Sequence, residues 1–199
     1  MKIRLLFCLL LFSNICLDTI GQESKRNFKI HTVAFYNLEN LFDTINDVNK
    51  NDEASPIMEI KFNRSKIYKK KVSNMARVIS QIGLEVTKRP PSIVGICEVE
   101  NRKVVEDLIA DEKLNSHNYG IVHYDSPDNR GIDVGMIYNK DVFSVKNSNS
   151  HEVYITDNNS SKRRNTRDQL VVSGHLDGEL MHFIVNHWPS RGADETKRI

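Results

Sequence analysis

The stretch that most constrains this chain is Pro90 to Asn101, PPSIVGICEVEN. Two prolines mark a turn, and a short apolar run of Ile93-Val94-Gly95-Ile96-Cys97 follows. A run this short, rich in β-branched residues and bounded by a turn, reads as a buried and parallel strand. Its apolar character stops at Glu98-Val99-Glu100-Asn101. In α/β sheets, ligands bind outside the carboxyl ends of the strands. A carboxylate there is placed to hold a hard cation such as Mg²⁺. Read by themselves, Glu98 and Glu100 are better explained as solvated loop charges, or as acidic groups favoured at a helix N-terminus. The rest of the chain has to decide.

The chain has 199 residues, 39% hydrophobic and 27% charged, enough for one domain with a core or for part of a larger one. A net charge of +2 argues against a broad nucleic-acid-binding surface, although a local basic cleft fits inside a balanced total. Lys2 and Arg4 precede an apolar run from Leu5 to Leu17, and small residues at Thr19 and Gly21 follow. This pattern predicts a signal peptide over 1–21, and with it export to the periplasm or beyond the cell. The run falls short of the roughly 20 residues of a membrane-spanning helix, so no stable membrane insertion is expected once it is removed. Cys8 and Cys16 would leave with it. Cys97 would remain as a lone buried cysteine, so the exported domain would depend on its core.

Taken in order, Phe28 to Leu38 alternates as a strand, and it ends in Asn37 and Glu39. Arg64 to Ile82 has apolar residues at helical spacing, with Gly83 as its C′ residue. The opposite face of this helix, Lys66, Lys69, Lys70, Lys71 and Arg77, reads as solvated rather than as a phosphate site. Asn101 to Ile109 is a short helix. Strands are expected at Tyr119–Tyr124, Ile132–Tyr138, Gln169–Gly174 and Leu180–Val185, with a turn at Asp177-Gly178 and extended chain over Phe143–Ile155. Residues 157 to 167 read as a polar loop. The hairpin signals of the second half favour mixed sheets in a layered α/β sandwich over a simple doubly wound fold.

Polar residues gather at four strand ends: Asn37 and Glu39; Glu98 and Glu100; Arg130 and Asp133; and Asn186, His187, Ser190 and Arg191. Carboxylates, amides, a histidine and arginines suit a phosphoester. A carboxylate holds the metal, arginines grip phosphate oxygens, and a histidine donates or moves a proton. Each member also has an ordinary reading. Asn37 could end its strand in an Asx turn, Arg130 could be turn chemistry beside Gly131, and His187 could be a satisfied core histidine. His31, His123, His175 and His182 share no spacing and read as structural or surface groups. No Walker-type loop, zinc-spaced Cys/His set or Gly-x-Ser-x-Gly elbow occurs.

Four stretches together carry a family resemblance: VAFYNLENLFD at 33–43, PSIVGICEVEN at 91–101, SPDNRGIDVGMIYN at 126–139 and NHWPSRGADETKR at 186–198. In order and spacing the chain resembles the endonuclease/exonuclease/phosphatase superfamily, of deoxyribonuclease-I-like fold, and most its secreted bacterial members. The resemblance implies a four-layer α/β sandwich of two mixed β-sheets flanked by helices. It implies phosphoester hydrolysis dependent on a divalent metal, with Mg²⁺ expected and Mn²⁺ or Ca²⁺ as alternatives. It makes Glu98 the metal-binding glutamate, and Asn37, His187 and Arg130 catalytic. Asn186, Ser190 and Arg191 fall in the matching motif as substrate-binding groups. Two departures stand out. Cys97 occupies the position where the family usually has Gln. The later Gly-Asp-x-Asn segment and Asp-His pair, which supplies the water-activating histidine, have no counterpart in this sequence. The expectation is therefore that residues 22–199 form the N-terminal portion of such a domain, inactive by itself. The expected substrate is nucleic acid, with a lipid- or inositol-phosphate substrate as the alternative. A non-catalytic exported binding module is the reading from another class. No obligate protein partner is expected.

Overall fold

The computed structural model describes residues 28–48, 50–156 and 162–188. The predicted signal peptide and the candidate residues Ser190 and Arg191 lie outside them. Two sheets pack face to face in the unit formed by residues from His31 onward. The first is mixed and ordered β1-β2-β4-β3, with β1 (Val33–Leu41), β2 (Ile93–Val99), β3 (Tyr119–His123) and β4 (Asp133–Asn139). Strand β2 runs parallel to β1 and antiparallel to β4. The second sheet is antiparallel and ordered β5-β8-β9, with β5 (Phe143–His151), β8 (Gln169–Leu176) and β9 (Glu179–Val185). A two-residue ribbon, β6 (Ile155–Thr156) with β7 (Arg163–Arg164), projects from the loop between β5 and β8. Helices α1 (Arg64–Gln81), α2 (Leu84–Thr87) and α3 (Arg102–Ala110) precede and follow β2.

Strand β2 is the centre because it is buried on both faces. Val94, Ile96 and Val99 pack under α1 and α3, against Val72, Ala76, Ile79, Val104 and Leu108. Ile93 and Cys97 point the other way, into a second core with Val134, Met136, Leu170, Val172 and Val185. Burying each such side chain contributes roughly 1.5–3 kcal/mol. Truncating Ile96 to Ala would cost about 2–5 kcal/mol through the cavity it leaves. Edge-to-face contacts of Tyr138 with Phe143 and of Phe143 with Phe183 close the inter-sheet core.

Local chemistry sets the element ends. Helix α1 stops where Gly83 adopts φ +72, the left-handed C′ position. Helix α3 starts where Asn101 Oδ1 accepts the Val104 N–H at 3.0 Å. The β8–β9 hairpin turns on Asp177 and Gly178, both with positive φ, as a two-residue turn requires.

The expected α/β sandwich of two sheets with flanking helices is present. Among the described residues it has three layers, helices on mixed sheet on antiparallel sheet, so only the first sheet is mixed. Strand β1 begins at Val33 rather than Phe28, because its pairing with β2 begins at Val33 opposite Ile93. It is also buried on one face only. Ala34 and Tyr36 meet the helical core, while Val33 and Phe35 stay half exposed on the sheet's outermost strand. Residues 163–164, expected to be loop, form β7.

Candidate active site

The mixed sheet stops being regular where β1 and β2 end. Register shifts fall between Asn37 and Leu41 and between Cys97 and Val99. At these shifts Glu39, Asn40 and Glu98 adopt φ of +53, +57 and +59. Left-handed backbone at a non-glycine residue costs about 1–3 kcal/mol and persists only where the surroundings hold it. Here they do. Glu98 Oε2 accepts the Asn40 N–H at 3.0 Å, and Asn37 Oδ1 accepts the Glu39 N–H at 2.7 Å. Lys71, reaching up from α1, donates to the Asn40 carbonyl at 3.0 Å and to the Glu39 carbonyl. Burial lowers the Lys71 pKa, against the pull of Glu39 and Glu98. Lys71 thus braces the strand end, whereas its helix face reads from sequence as merely solvated.

Asn37 does make the Asx turn that was its ordinary reading. That turn commits its Oδ1 and leaves the Nδ2 donor for a ligand. Its register partner on β2 is Cys97, next to Glu98. His187 follows β9 and comes from the second sheet. Its Nε2 lies 3.4 Å from Glu98 Oε1. Burial, with help from Arg167 and Arg130, holds the imidazole pKa below its ordinary value and outweighs the opposing charges of Glu98 and Asp128. His187 is therefore neutral near pH 7. His187 Nδ1 and Asn186 Oδ1 are buried without a hydrogen-bond partner. Unpartnered buried polar atoms are costly, and their grouping at this strand end is the mark of a ligand site.

Sequence reasoning missed the arginine that ties the site together. Arg167 is buried just before β8. Its Nη1 donates to Asp128 Oδ2 at 2.9 Å, and its Nε to the His187 carbonyl at 3.0 Å. Asp128 Oδ1 in turn accepts from the Arg130 N–H at 2.9 Å and Nε at 3.2 Å. Burial pushes the Asp128 carboxyl up, but the bonds from Arg167 and Arg130 win and hold it below the usual range. Arg130 itself is largely exposed and free to turn toward a ligand. The signal in the sequence was a lone arginine abutting the apolar alternation of β8; it looked like the end of a polar loop.

Glu100 behaves differently from Glu98. It is buried, and it accepts the Asp43 N–H at 2.7 Å on the helix-side face. Burial pushes its carboxyl up to about 7, opposed by the Asp43 hydrogen bond. It therefore belongs to the frame. Cys97 is fully buried, and burial pushes its thiol up to about 12, which makes it inert.

A hard cation fits the group around Glu98. One carboxylate oxygen is anchored by a backbone N–H, and the other lies 3.4 Å from His187 Nε2. Mg²⁺ needs only one or two carboxylates when substrate phosphate and water complete its shell.

Two sheets with outer helices, and a glutamate and a histidine in contact at the strand ends, define a layered α/β sandwich with a polar site at one edge. The sequence profile of the Endonuclease/Exonuclease/phosphatase family matches residues 32–198, and the chain belongs to that family. No curated protein matches its sequence. Similar solved structures include an endonuclease/exonuclease/phosphatase from Bacteroides vulgatus, with 14% identity over 76% of this chain and 49% of that chain, TM-score 0.46. A functionally unknown conserved protein from Enterococcus faecalis has 12% identity over 76% of this chain and 50% of that chain, TM-score 0.43. D. rerio TDP2 complexed with a single-strand DNA product has 16% identity over 61% of this chain and 42% of that chain, TM-score 0.38. The chain spans half the length of these structures or less. Among the described residues, no helix is long and apolar enough to cross a membrane.

Proposed function

We propose that this chain builds the metal- and phosphate-holding side of a divalent-metal-dependent phosphoester hydrolase, and that its substrate is nucleic acid. The observation that carries the proposal is the left-handed end of β2, which turns the Glu98 carboxylate to His187 at 3.4 Å. Glu98 would hold the metal, Mg²⁺ by preference, which when bound draws charge from a phosphoryl oxygen. His187, neutral, has one N–H to give a phosphate oxygen and adds no charge of its own. Asn37 offers its Nδ2 donor, held in aim by the Asx turn. Arg130 grips phosphate from the exposed end of the Asp128–Arg167 chain. Asn186, Ser190 and Arg191 are proposed to extend the contact along the substrate. The leader-like pattern of residues 1–21 supports export.

A phosphodiester is expected to bind at this site in a metal-dependent way. A competition experiment tests the substrate class. A labelled single-stranded oligonucleotide is displaced by unlabelled DNA, by an inositol phosphate or by a phosphomonoester, each with Mg²⁺ or with EDTA. Displacement by DNA that needs Mg²⁺ and weakens steeply with salt supports a nucleic-acid substrate. Preferential displacement by the inositol phosphate moves the substrate to that class. Binding that ignores EDTA leaves only a binding module.

A further inference from the structure

A second cluster lies apart from the one around Glu98. His123 ends β3, Asp125 follows it, and Asp133 begins β4; His123 pairs with Gly135 in the β3–β4 ladder. One ligand atom from each of the three lies within 4.8 Å of the others. His123 and Asp133 are buried, with side chains 3% and 0% exposed. Asp133 Oδ1 is saturated by the Ser126 N–H at 2.8 Å and the Ser126 hydroxyl at 2.6 Å, which fixes the carboxylate and presents Oδ2. Oδ2 and His123 Nε2 sit 3.2 Å apart, yet neither has a hydrogen-bond partner. Two buried polar atoms converge without satisfying each other. Neighbouring ligands of one ion, at metal–ligand distances of about 2.0–2.2 Å, stand roughly 3 Å apart, so the spacing is that of two donors sharing a cation.

Lys50 covers the open side. Its Nζ lies 3.3 Å from Asp125 and 3.8 Å from Asp133, and it donates to the Glu100 carbonyl at 2.9 Å. The cluster therefore already attracts positive charge, and the lysine has the Glu100 carbonyl to retreat to. None of these contacts involves Glu98, His187 or Asn37.

We propose that His123, Asp125 and Asp133 form a second divalent-cation site, whose ion ties together the two ends of the loop that presents Arg130. One imidazole nitrogen with two carboxylates suits a first-row transition ion such as Mn²⁺ or Zn²⁺ better than Mg²⁺ or Ca²⁺, which take oxygen donors. Lys50 competes with this ion for the same carboxylates. Asp125 and Asp133 bracket the segment carrying Asp128 and Arg130, so the ion orders the segment that reaches toward phosphate. The site stands on its own contacts and not on the reading of Glu98 as a ligand.

The test is Mn²⁺ binding to the purified chain, counted by electron paramagnetic resonance, in wild type and in Glu98→Gln, Asp125→Asn, His123→Gln and Lys50→Met. One Mn²⁺ should remain bound in Glu98→Gln. Asp125→Asn should weaken that ion by more than about 100-fold, beyond what loss of an outer partner usually costs. Lys50→Met should tighten it. Asp125 is exposed, so its variant keeps the fold, as circular dichroism would verify, and it decides the matter if His123→Gln unfolds. The proposal is overturned if Glu98→Gln binds no Mn²⁺, in which case Lys50 is the cluster's cation. It is equally overturned if Asp125→Asn binds as wild type does.

Discussion

Glu98 and Glu100 are two residues apart at the end of one strand, and a regular strand would turn both to one face. They end on different sides with opposite tasks. Glu98, at φ +59, leaves the ladder and meets His187 from the second sheet. Glu100 folds toward α1 and α3, takes the Asp43 N–H and helps close the loop after β1. The Glu98 side contains strained backbone, unpartnered buried atoms and an exposed arginine. The Glu100 side contains a carboxylate that accepts a backbone N–H and, next to it, a capped helix. A carboxylate's place in the sequence says little about its role; the backbone angle beneath it and the partners it meets say much more.

The largest effect expected on this comparison comes from Arg167, the buried brace of the Glu98 side. Arg167→Ala leaves the buried Asp128 Oδ2 unpaired, with only Arg130 on the other oxygen, and should cost about 3–5 kcal/mol in denaturant unfolding. It should also loosen His187, whose carbonyl it holds. A variant as stable as wild type would mean that the two sides do not differ in this way. Next is Glu100→Ala, which leaves the Asp43 N–H without its acceptor. It should cost about 1–3 kcal/mol of stability with phosphodiester binding unchanged. A change in binding instead would place Glu100 in the site. Asn101→Ala removes only the α3 cap and should cost about 1 kcal/mol in thermal unfolding.

The smallest expected effect is one of pH. The Asp128 carboxyl is held below its ordinary 3.8 by Arg167 and Arg130. Its contribution is present above that unfolded value and is lost as pH falls through the lower folded one. The stability gap between wild type and Arg167→Ala should therefore be widest near neutrality and narrow as pH falls, first as His187, whose pKa Arg167 also lowers, takes up a proton, and last in strong acid as Asp128 does. A gap that widens as pH falls would contradict this.

The strands and helices were largely legible in the sequence because apolar periodicity carries them. The run 93–97 predicted β2, the three- and four-residue spacing over 64–82 predicted α1, and Asp177-Gly178 predicted its turn. Strand β1 was less legible. Its apolar residues alternate onto both faces, but Ala34, Tyr36, Leu38 and Leu41 find the helical core while Val33 and Phe35 stay half exposed, and the sheet order that leaves β1 outermost is not written locally. The candidates Asn37, Glu98, Arg130, Asn186 and His187 came from where apolar runs stop, and the fold brings Glu98 and His187 within contact. Arg167 and Lys71 escaped notice because long cationic side chains act away from their own backbone. Each looked like a solvated charge on its own element. The left-handed turn at Glu98 escaped too, since no glycine marks it. His123 was passed over because its partner Asp133 lies on the next strand, across a loop.

The measurement that tests the central claim most directly is Mg²⁺-dependent binding of a labelled oligonucleotide to wild type, Glu98→Ala and Glu100→Ala, side by side. Mg²⁺ should strengthen binding to wild type and to Glu100→Ala, and Glu98→Ala should lose this response while remaining folded. If Glu98→Ala responds to Mg²⁺ as wild type does, the metal is not held at the end of β2, and the reading of this site as a phosphoester centre is wrong.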